Sequence, residues 1–394
     1  MNARRTSWPL FLSGWALVVS SGCVAFAQPA GEPKAEPKTA TPAAADKPTA
    51  PADSSPAGKF NAVRTRYEAI DKQLSELVTA YVRETDPAKQ ATLKAEYTKL
   101  VGEIDKVLPE LESAAAAAFA AEPNKDRDIT RTLIGLVANH VRKDENEAAL
   151  ALAKTLADGK CEEPVLYAFA GTAAFRNDDY ELAEKYLKIA SDAGKLDRDA
   201  RECWTELPDQ KKAWAEEVAV REKEAKADDL PRVKLETSKG PIVIELFENE
   251  APGAVGNFVN LVEKKYYDGL TFHRVLPNFM AQGGDPTGDG TGGPGYNIYC
   301  ECEQPNARKH FRGTLSMAHA GKDTGGSQFF LTFRPTTHLN NRHTAFGRVV
   351  EGMDVLAKLQ RRDPNAASPP QPDKIIKAEV LRKRDHAYEP KKVK

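Results

Sequence analysis

The chain carries almost no net charge. Its 56 lysines and arginines stand against 57 aspartates and glutamates, a formal charge of −1 over 394 residues. Nothing in that balance draws it to nucleic acid or to an anionic membrane. Cysteine is scarce, five residues in all. There is no C-x₂-C pair and no histidine spacing to match one, which excludes the common zinc frameworks. The stretch FHRVLPNFMAQGGD, residues 272–285, mixes an arginine with aromatics, a glutamine and a glycine pair. It holds no serine or cysteine nucleophile and no metal cluster, so covalent transfer chemistry has no starting point there.

What is present reads as an ordinary soluble composition, 41% apolar and 29% charged. The length exceeds a single core and predicts two domains plus non-globular segments. Arg4 and Arg5 open a positive region, residues 10–27 are mostly apolar, and Ala25-Phe26-Ala27 sets small residues before Gln28. This pattern predicts a signal peptide over residues 1–27, with a retained membrane anchor as the alternative. Cys23, after Ser21-Gly22, offers a lipid anchor as a third reading, although Ser20 stands where the usual lipobox has leucine. The protein is thus expected to be exported to a bacterial periplasm or cell envelope, or secreted, with no membrane span after cleavage; a lipoprotein is the alternative. The other cysteines are Cys161, Cys203, Cys300 and Cys302. Cys300 and Cys302 share one face of an extended run, where a bond between them would close a very tight ring. Free thiols or one remote pair are expected.

Residues 28–58 are Pro, Ala, Lys, Glu and Thr with few large apolar side chains. Such a segment cannot bury enough surface to order itself, and a disordered linker is expected. Residues 59–227 read as an all-α region. Tyr67, Ile70, Leu74, Leu77, Val78 and Tyr81 recur at three and four. Asp86-Pro87 starts a second helix carrying Leu93, Tyr97, Leu100, Ile104 and Leu108. The pair predicts either an antiparallel hairpin or a plain spacer. Further on, Asp144, Glu147 and Ala149 recur as Asp178, Glu181 and Ala183, an offset of 34. With Tyr167, Gly171, Tyr180 and Ala190, the spacing resembles a tetratricopeptide repeat, a generic helical bundle being the alternative. Leu207-Pro208 is expected to break the next helix, and residues 209–227 to form a charged, solvated one. A protein partner on this helical region is expected.

From Leu230-Pro231 the period changes to two. Val233 and Leu235, then Ile242, Ile244 and Leu246, alternate with polar neighbours around Ser238-Lys239-Gly240, a β-hairpin pattern. Helices are expected at residues 252–264 and 352–359, and a last strand at 375–381. Short strands with two helices predict a closed antiparallel β-barrel over residues 231–385. Residues 386–394 read as a basic tail.

Residues 272–285 resemble the signature of the cyclophilins, a family of peptidyl-prolyl cis-trans isomerases. Ser316-Met317-Ala318, Gly326-Ser327-Gln328-Phe329-Phe330, Leu339, His343 and Phe346-Gly347 follow in the family's order. The resemblance covers residues 231–384 and leaves the helical region outside. It implies an enzyme of the EC 5.2.1.8 class, proline-containing polypeptides as substrates, and no cofactor or metal. Arg274 and Gln282 match the catalytic positions. Phe279, Met280, Phe330 and Leu339 match the apolar slot for the proline ring, and His343 its wall. Ala318, the backbone of His319 and Gln328 match the groove for the preceding residues. His338 stands where many cyclophilins have a substrate-side tryptophan, which puts tight cyclosporin binding in doubt. His319 replaces a common asparagine.

The chemistry suits these residue types. A prolyl bond turns through a barrier near 20 kcal/mol set by amide resonance, and no bond breaks. As the amide twists, its nitrogen becomes a hydrogen-bond acceptor, and a fixed donor there stabilises the twisted state selectively. An arginine side chain supplies such a donor. His343 is read as packing rather than as acid or base, and His273 as structural, pointing away from Arg274. Gly288-Asp289-Gly290-Thr291-Gly292-Gly293 fits G-x-G-x-x-G, but an extended run follows instead of a helix. It is read as a loop beside the groove. Two other functions compete, a proline-recognition or chaperone module and a structural envelope protein.

Overall fold

The computed structural model describes residues 53–394. The predicted signal peptide, Cys23 and most of the linker lie outside the described residues. The described chain forms two compact units, one of residues 53–136 and 155–161, the other of residues 137–154 and 162–394.

The first unit is built on a long helical hairpin. Helix α1 (Pro56–Arg83) begins three residues earlier than the sequence reading placed it, because the Ser55 side chain caps it and Pro56 suits its first turn. Helix α2 (Pro87–Ala121) is capped by Asp86, whose carboxylate accepts from the Ala88 and Lys89 N–H groups. The two run antiparallel, with Arg66 bonded to Glu110 at 2.7 Å. Phe60, Tyr67 and Leu74 of α1 are buried, as are Ile104, Val107, Leu111 and Ala115 of α2.

Of the two helical pairs at the 34-residue offset, the first is divided between the units and the second lies wholly in the second unit. Helices α3 (Arg127–Arg142) and α4 (Asn146–Asp158) are joined at Asp144, and α5 (Pro164–Arg176) and α6 (Tyr180–Asp192) at Asp178. Both aspartates take left-handed backbone, φ +62° and +61°. The bonds around them repeat as well. Glu145 N–H meets His140 C=O as Asp179 N–H meets Ala174 C=O, each at 3.0 Å. Within the second pair, Gly171 has no room for a side chain, since a Cβ there would lie 2.6 Å from Leu187 Cγ.

Helix α7 (Arg198–Ala227) corrects two expectations. It runs unbroken through Pro208. A proline inside a helix costs one backbone hydrogen bond and about 3 kcal/mol, offset here by burial on both sides of it. Cys203, Leu207, Gln210 and Ala213 are all buried. The charged second half is solvated on one face only, with Lys212, Glu216, Glu222, Lys223 and Lys226 exposed, while Glu217 and Glu224 are buried against arginines of the β-domain.

The β-domain has eight strands: β1 (Arg232–Thr237), β2 (Gly240–Leu246), β3 (Arg274–Leu276), β4 (Met280–Gly283), β5 (Thr314–Met317), β6 (Phe329–Thr332), β7 (Ala345–Glu351) and β8 (Ile375–Arg382). Their order is β3-β4-β6-β5-β7-β2-β1-β8, with every pairing antiparallel. The sheet curls until the segments leading into its two edge strands meet. Phe272 N–H bonds Asp373 C=O, and Ile375 N–H bonds Leu270 C=O. Helices α8 (Pro252–Glu263) and α9 (Met353–Ala357) fall where the sequence reading put them. Alternate strand residues fill the interior around Phe258, whose ring meets Phe329 and Phe346 edge-on at 5.5 Å each. The basic tail is packed. Tyr388 is buried with its hydroxyl on Glu248, and Val393 N–H bonds Asn297 C=O.

Candidate active site

Side-chain alternation across the β3–β4 hairpin separates core from site. Val275 and Ala281 point inward to the core with Phe329 and Leu331. The intervening positions point outward. Arg274 lies opposite Gln282, Gln282 opposite Phe330, and Phe330 opposite Ser316, so four strands present one cross-strand row. Leu276 pairs with Met280. That leaves Pro277, Asn278 and Phe279 as the hairpin turn, with Asn278 at φ +57°. The turn swings Phe279 back toward Arg274, whose guanidinium carbon lies 5.9 Å from the ring centroid.

These residues open onto one cavity of about 730 Å³. Arg274 and Gln282 line it, as do the apolar Phe279, Met280, Phe330 and Leu339. Ala318, His319, Gln328 and His343 line it as well. His338 is the expected residue that does not line it. It sits in a short 3₁₀ turn (Thr337–Leu339) with its ring 5.6 Å from Phe279, backing that wall.

Polar groups inside the cavity form a chain. Arg274 Nη1 lies 3.4 Å from Gln282 Oε1, a long contact. Gln282 Nε2 donates to Gln328 Oε1 at 3.0 Å, and Gln328 Nε2 donates to the carbonyls of Gly290 and Gly292 at 2.9 Å each. The glycine-rich run does form a loop beside the groove, its residues 290–297 lining the cavity. Asp285 holds that loop, accepting from the Thr287 N–H and hydroxyl and from Gly290 N–H. Burial raises the Asp285 pKa, but these bonds outweigh it and leave the carboxyl below the ordinary range. Gly284 before it sits at φ +82°, and a Cβ there would lie 2.4 Å from Ser327 O.

Burial lowers the pKa of His273, His310, His338 and His343. His343 is lowered by it, and its Nδ1 donates to Met317 C=O at 2.9 Å. Its ring stacks on His319 at 4.1 Å and meets the edge of Phe330 at 5.6 Å, so it acts as a wall. His319 directs its Nε2–H to Arg342 C=O and accepts from Gly321 N–H at Nδ1. His273 is buried away from the cavity and lowered, as its structural reading requires. His310 was not expected at the site. It lies buried beneath Phe330, ring over ring at 6.1 Å, bonded to Ser316 and Asn340. Burial brings it down to about 4.

Residues 232–380 match the sequence profile of the family described as cyclophilin type peptidyl-prolyl cis-trans isomerase/CLD. A peptidyl-prolyl cis-trans isomerase of Helicobacter pylori is 50% identical over 149 residues, 36% of this chain and 91% of the relative. The chain belongs to the cyclophilin type peptidyl-prolyl isomerases. Peptidyl-prolyl cis-trans isomerase B of Bacillus subtilis is 55% identical over 122 residues, 31% of this chain and 85% of the relative. A crystal structure of a Cryptosporidium parvum cyclophilin type isomerase matches 39% of this chain and 99% of its own, at 32% identity and a TM-score of 0.36. This cyclophilin is a peptidyl-prolyl cis-trans isomerase. The family match lies wholly within the β-domain and does not reach α1–α7.

Beyond the expected residues, the cavity takes in Tyr296, Asn297, Ala320, Thr324 and Gly326. The sequence signals for these were the density of glycine around residues 288–295 and the Gly326-Ser327 that opens the second stretch of the resemblance. His310 left no signal, because its role depends on the Phe330 ring stacked above it from β6.

Proposed function

We propose that this cyclophilin isomerises prolyl bonds of exported proteins by presenting the Arg274 guanidinium to the nitrogen of the twisted amide. The observation that carries this reading is the cross-strand row, which sets Arg274, Gln282 and Phe330 side by side on one cavity wall. The proline ring enters the apolar slot of Phe279, Met280, Phe330 and Leu339, with His343 behind it. The preceding residues run past Ala318, the His319 backbone and Gln328, while the carbonyl before proline swings. The Arg274 donor meets an amide nitrogen that accepts well only when twisted, so the bond strengthens toward the transition state. Gln282 steadies the guanidinium from its position in the polar chain. His343 transfers no proton. The predicted signal peptide supports export, and the helices, with their paired hairpins at a 34-residue offset, suit a surface that holds clients or a protein partner while prolines exchange.

The test uses the full mature chain on a protein whose refolding is limited by prolyl exchange. Wild type is expected to accelerate the slow phase, and Arg274→Ala to lose that acceleration while still folding. Equal acceleration by both would remove Arg274 from the mechanism. Fusing residues 1–58 to an enzyme active only outside the cytoplasm tests export, and an inactive fusion would contradict it.

A further inference from the structure

The turn that carries Phe279 is gripped from outside its own hairpin. Asn278 N–H donates to both carboxylate oxygens of Asp144, at 3.0 and 3.1 Å. Asn278 Oδ1 accepts from Arg176 Nη1 at 2.7 Å. Asn278 C=O accepts from Arg334 Nε at 2.8 Å. Asp144 joins α3 to α4 and Arg176 ends α5, so two of these grips come from the helical pairs. Neither grip is a loose surface contact, since Asp144 is 2% exposed and Arg176 1%.

Both clamping groups are themselves fixed. Arg361 Nη2 donates to Asp144 at 2.9 Å and to the neighbouring Lys143 C=O at 2.7 Å, with its guanidinium over the Phe333 ring. Arg176 donates to Asp199 of α7 at 2.5 Å and to Val141 C=O. A left-handed Asn278 held at its N–H, its C=O and its side chain cannot rotate freely, and Phe279 follows it directly in the chain. We infer that Asp144 and Arg176 are positioning residues for the isomerase, holding Phe279 in place as a wall of the proline slot from the helical pairs. The inference rests on the reading of Phe279 as that wall.

The repeat supplies an internal control. Asp178, the counterpart of Asp144 34 residues on, accepts the backbone N–H of Arg312, a residue that does not line the cavity. A helical pair that merely props up the β-domain would make the two aspartates equivalent. A positioning role makes Asp144 special.

The experiment measures kcat and KM for a proline tetrapeptide on the full mature chain, in Asp144→Asn, Asp178→Asn, Asn278→Gly and Phe279→Ala. Phe279 contacts the ring in ground and transition states alike, so loosening it raises KM more than it lowers kcat. Asp144→Asn is expected to raise KM three- to ten-fold with kcat within about two-fold, and Asp178→Asn to leave KM unchanged. Asn278→Gly keeps the left-handed backbone while deleting Arg176's acceptor, and is expected to raise KM two- to four-fold. This variant carries the test if Asp144→Asn does not fold. Unchanged KM in Asn278→Gly and in a folded Asp144→Asn, or an equal rise in Asp178→Asn, overturns the inference. If Phe279→Ala itself leaves KM unmoved, the slot reading fails instead, which separates the two failures.

Discussion

Removing Arg308 tests how α7 is held on the β-domain. Its side chain is 4% exposed and forms a fork onto Glu217, Nε to Oε2 at 2.9 Å and Nη2 to Oε1 at 2.7 Å. Its third nitrogen meets Glu224, which also bonds Arg348 at 2.8 Å. The guanidinium lies 3.9 Å from the Phe247 ring centroid. Arg308→Ala leaves Glu217 with Arg221, and Glu224 with Arg348, but strips each of one buried partner. Breaking a buried pair costs about 3–5 kcal/mol, and the surviving arginines place this loss near ~3 kcal/mol. The assay is built in, because Trp204 and Trp214, the two tryptophans among the described residues, both lie on α7. Trp214 packs edge-on against Phe311 at 5.0 Å, so its fluorescence reports the docking of α7. With an m value near ~2 kcal/mol/M, the first urea transition should fall by about 1.5 M. Arg308→Lys, a point charge that cannot make the fork, should lose roughly half as much. A midpoint unmoved within about 0.3 M in Arg308→Ala would refute the reasoning that these buried charges hold the helix.

His310 predicts an acid limb in stability. Its folded pKa of about 4 lies below the ordinary histidine value of 6.5, so its contribution is full above 6.5 and is lost as pH falls toward 4. The loss is on the order of 3 kcal/mol, and His310→Gln should flatten the unfolding free energy between pH 4 and 6.5; an unchanged slope would contradict the burial of a neutral ring. Gln328→Leu cuts the Gln282 bond and both loop bonds, each worth about 1 kcal/mol. With about half of that ~3 kcal/mol felt at the transition state, kcat/KM for peptide turnover should fall about ten-fold, whereas a change under two-fold would remove the polar chain from the account.

The site was legible because residues 272–285 and 326–330 resemble the cyclophilin signature. That Arg274, Gln282 and Phe330 share a face came only with the pairing of β3, β4 and β6. The helices were legible by period and the Asp86-Pro87 start of α2 by residue type, whereas the Ser55 cap of α1 lay in a stretch read as linker. What escaped the sequence depends on partners far along the chain. Glu217 and Glu224 look solvated until Arg308 and Arg348, over eighty residues later, are brought against them. Pro208 looks like a break until the burial of α7 on both sides of it is seen. Asp144 looked like a mark of the repeat alone, and its bond to Asn278 spans 134 residues. Tyr388 sat in a segment whose lysines hid its role in the core.

The most direct test of the account is prolyl exchange at equilibrium, measured by NMR on the full chain with Arg274→Ala and Arg274→Lys beside wild type. A donor that acts only on the twisted amide should cost about 10²–10³-fold in kcat when removed, as for other preorganised donors. KM should stay within about three-fold, and Arg274→Lys should fall between. Exchange by a folded Arg274→Ala within about five-fold of wild type, or a loss confined to KM, would contradict the claim that Arg274 stabilises the turning bond.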